Sequence, residues 1–208
     1  MPVTTIMSGY NEAEYNGQPP TREGGPPHIL FAGTLYRTLD LQPLLEVLRE
    51  GKAEGWLSAE TLRLSFVGRL SERVEIEAEE LGVGDLVSAS GLVPRDELLT
   101  SLVSADALLL PIYEIDPYAM PMRFFEYVGA ARPIIGYGPA DRIQAKFIRD
   151  GNFGVVVSDR DEIKSALRRF VADPASLPAP AGAARAEYTW ARSIEKLDAL
   201  VSGLTGSD

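Results

Sequence analysis

The chain has 208 residues, 45% hydrophobic and 24% charged, the material of one globular domain with a tail. A formal net charge of −10 without any Lys/Arg run argues against general attraction to nucleic acid or an anionic membrane, so an anionic ligand must be held by local groups. The absence of cysteine excludes disulfides and thiolate chemistry, a single histidine (His28) excludes a multi-histidine metal centre, and no apolar run approaches the ~20 residues that span a bilayer.

The start, MPVTTIMSGYNEAEYNG, lacks the basic-then-apolar order of a signal peptide, and the expectation is a cytoplasmic protein without direct membrane insertion. Residues 1–27 end in NGQPPTREGGPP, a Pro/Gly/polar stretch that reads as a linker. From His28 onward short apolar runs alternate with helical patterns: ILFAG and LDLQPLLEVLREG, LRLSFVG and SERVEIEAEELGV, LVSAS and PRDELLTSLVSA, then ALLLPI and MPMRFFEYVGAA, PIIGYG and ADRIQAKFIRDG, FGVVVS and DRDEIKSALRRFVAD. Parallel strands need helical crossovers and are covered on both faces, so six such units predict one doubly wound, Rossmann-like parallel sheet over residues 28–173. PASLPAPAGA then breaks the chain over residues 174–183, one final helix is expected over 184–203, and 204–208 form a tail.

Ligands of such sheets bind outside the carboxyl ends of the strands, near the point where strand order reverses. After the first strand come Gly33, which permits close approach, Thr34 with a hydroxyl, and Arg37, the sole cation of the loop. Neither the dinucleotide fingerprint nor a Walker A sequence is present there. Gly68 and Arg69 follow the second strand, in a turn that reads either as the wall of a phosphate pocket or as an ordinary strand-to-helix connection. Gly91, Leu92 and Val93 follow the third, offering backbone groups to the edge of a base, whereas Arg95 reads as a surface residue.

Two acidic patterns have simpler readings than catalysis. Asp159-Arg160-Asp161 matches a D-x-D metal motif, but Asp159 with Glu162 three residues on is a capping box that opens a helix. Glu114 and Asp116 have the look of paired carboxylates, yet they lie in a loop beside a proline.

The most informative stretch is PYAMPMRFFEYVGAARPIIGYG, where Arg123 and Glu126 sit one turn apart in an otherwise apolar helix. Pro121 suits the first helical position, which leaves the amides of Met122 and Arg123 free at a positive helix end suited to a diphosphate. Glu126, on the next turn, can accept two hydrogen bonds from a ribose diol. The alternative is a plain Arg123–Glu126 ion pair, worth only ~0.3–0.5 kcal/mol.

MPMRFFEYVGAARPII resembles the P-x-K/R-x-x-E-Y-x-A-x-G-x-P-V-I pattern of retaining, nucleotide-sugar-dependent glycosyltransferases with the GT-B fold, especially family 4. FAGTLYRTLDLQPLLEVL, the middle segment from Leu62 to Glu114, and ARAEYTWARSIEKLDALV are similar, in that order, to the donor-binding half of those enzymes, and TTIMSGYNEAEYNG to the interdomain segment before it. The resemblance implies a donor of the UDP- or GDP-sugar type, no further cofactor, no metal, and a separate acceptor-binding domain or subunit. It places the ribose on Glu126, the diphosphate on Arg123 and the amide of Met122, the phosphate loop at Gly33 and Thr34, and the base at the backbone of Val93. Arg37, with Arg123 and Glu126, is the expected catalytic set; Arg69 is a further donor contact. The chain departs from the family at Tyr118, where a glutamate is usual, at Thr34, where an arginine is usual, and at Ala131, where a glycine is usual. Two other readings are a non-catalytic nucleotide-sugar-binding module and a sugar-nucleotide epimerase of related fold, the latter lacking catalytic histidines and acids at the strand ends.

Overall fold

The structure, a computed structural model, describes residues 3–15, 24–113 and 118–205; Glu114 and Asp116 lie outside the described residues. Strands β1 (His28–Ala32), β2 (Arg63–Val67), β3 (Val87–Ser90), β4 (Ala107–Pro111), β5 (Ile134–Tyr137) and β6 (Gly154–Val157) form one wholly parallel sheet in the order β3-β2-β1-β4-β5-β6. The helices are α1 (Gln42–Ala53), α2 (Glu72–Glu80), α3 (Arg95–Ser104), α4 (Met122–Ala130), α5 (Ile143–Asp150), α6 (Arg160–Ala172), α7 (Gly182–Ala186) and α8 (Trp190–Thr205). This is the expected doubly wound α/β sheet.

The side-chain period of a strand divides β1 between two cores. Ile29 and Phe31 join residues of α1, α2 and α6 on one face, while Leu30 and Ala32 join residues of α3, α4 and α5 on the other. All five residues of β1 and of β4 are buried, as the apolar runs require of central parallel strands. β3, at the edge, is mostly uncovered. Among the described residues no helix is long and apolar enough to cross a membrane.

The N-terminal stretch expected as an interdomain-type segment is tied to the body at Tyr10, which is buried against α4 and whose backbone N–H donates to Tyr188 while its carbonyl accepts from Trp190. The closing segment is two helices rather than one. Tyr188 lies among the rings of Phe124, Phe125, Phe147 and Phe153, with centroids 5.6–6.2 Å away, and Thr189 bridges Tyr10, so the backbone turns between α7 and α8. Burial of that ring outweighs local helix propensity.

Ala131 ends α4 in a left-handed conformation (φ 55°, ψ 36°), which costs a residue with a Cβ ~1–2 kcal/mol. Ala131→Gly is therefore expected to raise stability by about 1 kcal/mol and the melting temperature by roughly 2–4 °C, measured by thermal denaturation.

Candidate functional site

The chain runs outward from β1 to β3, then α3 carries it back to β4 on the other side of β1, so strand order reverses between β1 and β4. These two strands pair only at Ile29↔Ala107 and Leu30↔Leu108 and then diverge. Tyr127 of α4 fills the opening. Its hydroxyl accepts a hydrogen bond from the Ala32 N–H (3.0 Å) and donates one to the Leu109 carbonyl (3.2 Å), satisfying two backbone groups that the ladder has abandoned. The side chain is fully buried, and burial pushes its pKa up to about 12. One buried hydroxyl thus anchors α4 at the reversal point, with the start of the helix at the carboxyl ends of the strands.

Pro121 lies just before α4 rather than in its first turn, and its carbonyl receives the Phe124 N–H (3.0 Å). Met122 and Arg123 are then the first helical residues, and the amides of a first turn have no partner within their own helix. Met122 is exposed and Arg123 half-buried. The Arg123 guanidinium carbon lies 4.5 Å from the centroid of the Phe31 ring, and the group packs directly onto Gly33. Gly33 has a φ of 132°, and a Cβ added there would come within 1.7 Å of Arg123 Nη2. Glycine is thus required twice at this position, by the backbone conformation and by the guanidinium resting on it.

Two more glycines continue the close-packed strand ends: a Cβ on Gly68 would meet the Gly33 carbonyl at 2.2 Å, and one on Gly138 the Ile112 carbonyl at 2.3 Å. Tyr113, after β4, meets Tyr36 edge to face at 5.5 Å. Its hydroxyl is buried without a well-formed partner; burial raises its pKa, and the charge of Arg123 opposes that rise. Beside these rings opens a cleft of about 870 Å³, walled by Thr38 to Asp40, Tyr113, Gly138 and Ser158. That volume lies in the range of small-molecule sites.

Glu126, one turn beyond Arg123, is half-buried, and it pairs with neither Arg123 nor solvent alone. Arg95, at the start of α3, donates from Nη1 to Glu126 Oε1 and from Nη2 to Glu14 Oε2 (2.6 Å). The Arg123–Glu126 ion pair weighed from the sequence is replaced by this three-residue bridge, made by an Arg95 that is exposed, at the surface position expected of it. Tyr15 borders the same group. Its hydroxyl is buried without a partner, and burial, followed by the charge of Glu126, raises its pKa.

The other expected residues are more scattered. Thr34 is half-buried beside Gly33, and Val93 is half-buried between β3 and α3. Arg69 is exposed, with its carbonyl accepting the Leu35 N–H (2.9 Å), so its turn abuts the Gly33 loop through the backbone. Arg37 is exposed and lines a hollow with Leu70, Glu72, Arg73 and Glu77. Tyr118, at the position of the usual family glutamate, is 85% exposed.

Asp159 accepts from the Glu162 N–H (2.9 Å) while Glu162 accepts from the Ser158 N–H (2.7 Å), a capping arrangement that explains both acids. Among the described residues no group of three His, Cys, Asp or Glu side chains is placed to hold a metal ion. His28 stands at the amino end of β1, bonded to Ser65 (2.9 Å) and Arg63 (3.3 Å), remote from the carboxyl edge.

The family model described as "Glycosyl transferases group 1" matches residues 14–187. No curated protein matches the chain in sequence. Among solved structures, the chain is similar to WaaG, a glycosyltransferase involved in lipopolysaccharide biosynthesis (TM-score 0.61, 22% identity, covering 80% of this chain and 46% of that one). It is similar to a sucrose-phosphate synthase from Thermosynechococcus elongatus (TM-score 0.66, 20% identity, 98% and 53%) and to Anabaena HepE, solved in complex with UDP (TM-score 0.71, 11% identity, 96% and 57%). These likenesses concern the fold, and the chain spans about half the length of each of those proteins. The family match, in contrast, runs from the packed N-terminal segment to the turn between α7 and α8: the chain belongs to the glycosyl transferases group 1 family.

Proposed function

We propose that this chain is the nucleotide-sugar-binding half of a retaining glycosyltransferase, with a donor of the UDP- or GDP-sugar type. The observation that carries the reading is the Arg123 guanidinium, seated on Gly33 and Phe31 at the open end of α4, with Glu126 one turn further along. A diphosphate at that end meets the amides of Met122 and Arg123, the positive helix terminus and a held cation. The ribose then reaches the free oxygen of Glu126, the base reaches the backbone around Val93, and the sugar extends toward the cleft beside Tyr113. HepE, crystallised with UDP, supports a nucleoside diphosphate as the ligand class.

Transfer breaks the bond between the anomeric carbon and the β-phosphate oxygen, and forms one to an acceptor hydroxyl, whose proton passes to the departing diphosphate. Negative charge grows on the leaving diphosphate as positive charge grows on the sugar. Fixed donors aimed at the phosphates stabilise that state without reorganisation. This role falls to Arg123 and the helix amides, without a metal. The acceptor is supplied by a second domain or subunit, toward which α8 presents Trp190, Ile194, Leu197 and Val201, a row of exposed apolar side chains about one turn apart. The isolated chain should bind donor and transfer little. A non-catalytic binding module is the second reading, favoured by the exposed Tyr118 where the family usually has a glutamate; such a module would show no turnover even with an acceptor half added.

Titration of UDP, GDP and ADP into the chain tests the proposal. One of them should bind, and Glu126→Ala, which removes two charge-assisted hydrogen bonds to the ribose, should weaken it by roughly 10- to 100-fold. Failure of all three to bind overturns the proposal.

A further inference from the structure

We infer that Arg95 is a positioning residue for ribose recognition, holding the Glu126 carboxylate by one oxygen and tying it to Glu14 of the N-terminal segment. The inference rests on the assignment of Glu126 to the ribose. Its structural basis is the way the guanidinium divides its donors. Nη1 takes Glu126 Oε1 and Nη2 takes Glu14 Oε2, so the pair is not the bidentate fork that would occupy both oxygens of Glu126. An ionised carboxylate offers about four acceptor directions, so Oε2 and the second lone pair of Oε1 remain for two hydroxyl groups.

A lone glutamate on the second turn of a helix has free rotamers, and ordering one on binding costs roughly two- to tenfold in affinity. Arg95 removes part of that cost in advance. The three residues come from three elements separated by 31 and 81 residues of sequence: α4, α3 and the short turn Glu12–Glu14. The turn itself is fixed, because the Asn11 side chain accepts from the Ala13 N–H and Tyr15 packs edge to face on Tyr10, which is buried against Gly129 of α4. The ribose contact is thereby coupled to the N-terminal segment, so that a displacement of residues 12–15 is transmitted to the donor site through one guanidinium.

The test is calorimetric binding of UDP and GDP, each beside its 2′-deoxy analogue, to the full chain and its variants, with folding checked by circular dichroism. Loss of general structure weakens ribo- and deoxyribonucleotide alike, whereas loss of ribose positioning shrinks the preference between them. The wild-type chain should prefer the ribonucleotide by roughly tenfold, and Glu126→Ala should abolish the preference. Arg95→Ala should remove most of it, and Glu14→Gln, a milder variant that leaves the Arg95–Glu126 contact in place, should reduce it by about twofold. A full preference in Arg95→Ala alongside its loss in Glu126→Ala overturns this inference alone. Tighter UDP or GDP binding by Arg95→Ala also overturns it, because the contact would then compete with the ribose. A full preference in Glu126→Ala, or no binding of either nucleotide by the wild-type chain, overturns the ribose assignment and this inference with it. If Arg95→Ala does not fold, an undiminished preference in Glu14→Gln overturns the proposed tie to the N-terminal segment.

Discussion

Gly33→Ala is expected to weaken nucleoside diphosphate binding by roughly 10- to 100-fold, the loss of a charge-assisted contact, while the chain remains folded. Two effects combine at that residue. The φ of 132° lies where side chains strain the backbone, at a cost of about 1–3 kcal/mol. The new methyl group would also occupy the place of Arg123 Nη2 and drive the guanidinium off Phe31. A flexible arginine yields easily to a methyl group, so the steric part costs little stability and much function. A double-mutant cycle separates the two effects: in an Arg123→Ala background the methyl group displaces nothing, and Gly33→Ala should then lower affinity little further. Equal losses in both backgrounds would mean that Gly33 contributes by another route.

Tyr127→Phe is expected to destabilise the chain by about 2–4 kcal/mol, since the Ala32 N–H and the Leu109 carbonyl would each remain buried without a partner. The ring itself would still fill its space, so the loss isolates the hydroxyl. Urea unfolding should show a lower midpoint with an unchanged slope, as both variants expose the same surface. A change below about 0.5 kcal/mol, the ordinary scatter of surface substitutions, would show that the hydroxyl does not anchor α4. Because that helix carries Arg123 and Glu126, weaker nucleotide binding should accompany the lost stability.

The sheet was legible because its signal is local. Apolar runs of four or five residues alternating with amphipathic helices admit few arrangements, and the topology agrees with the one expected. The glycine, the arginine and the glutamate of the candidate site were legible for a related reason: two charges in the apolar run Phe124, Phe125, Tyr127 need an explanation that periodicity does not provide. Tyr127 itself carried no such signal, because a buried aromatic looks the same whether or not its hydroxyl has work to do. Arg95 was missed because its partners stand 31 and 81 residues away, at separations about which a hydrophobic pattern says nothing. The break between α7 and α8 was missed for the same reason, since it depends on Tyr188 entering a cluster of rings drawn from α4, α5 and the residue before β6. Arg37, expected as a cation for the phosphate from its place in the first loop, is exposed and lines a hollow with Glu72, Arg73 and Glu77.

The most direct measurement compares UDP and GDP with uridine and guanosine, titrated into the wild-type chain and Arg123→Ala. A nucleoside diphosphate should bind the wild-type chain more tightly than its nucleoside, and Arg123→Ala should remove roughly tenfold or more of that advantage while leaving the nucleoside almost unaffected. A diphosphate advantage undiminished in Arg123→Ala, or no advantage in the wild-type chain, would contradict the placing of the diphosphate on Arg123.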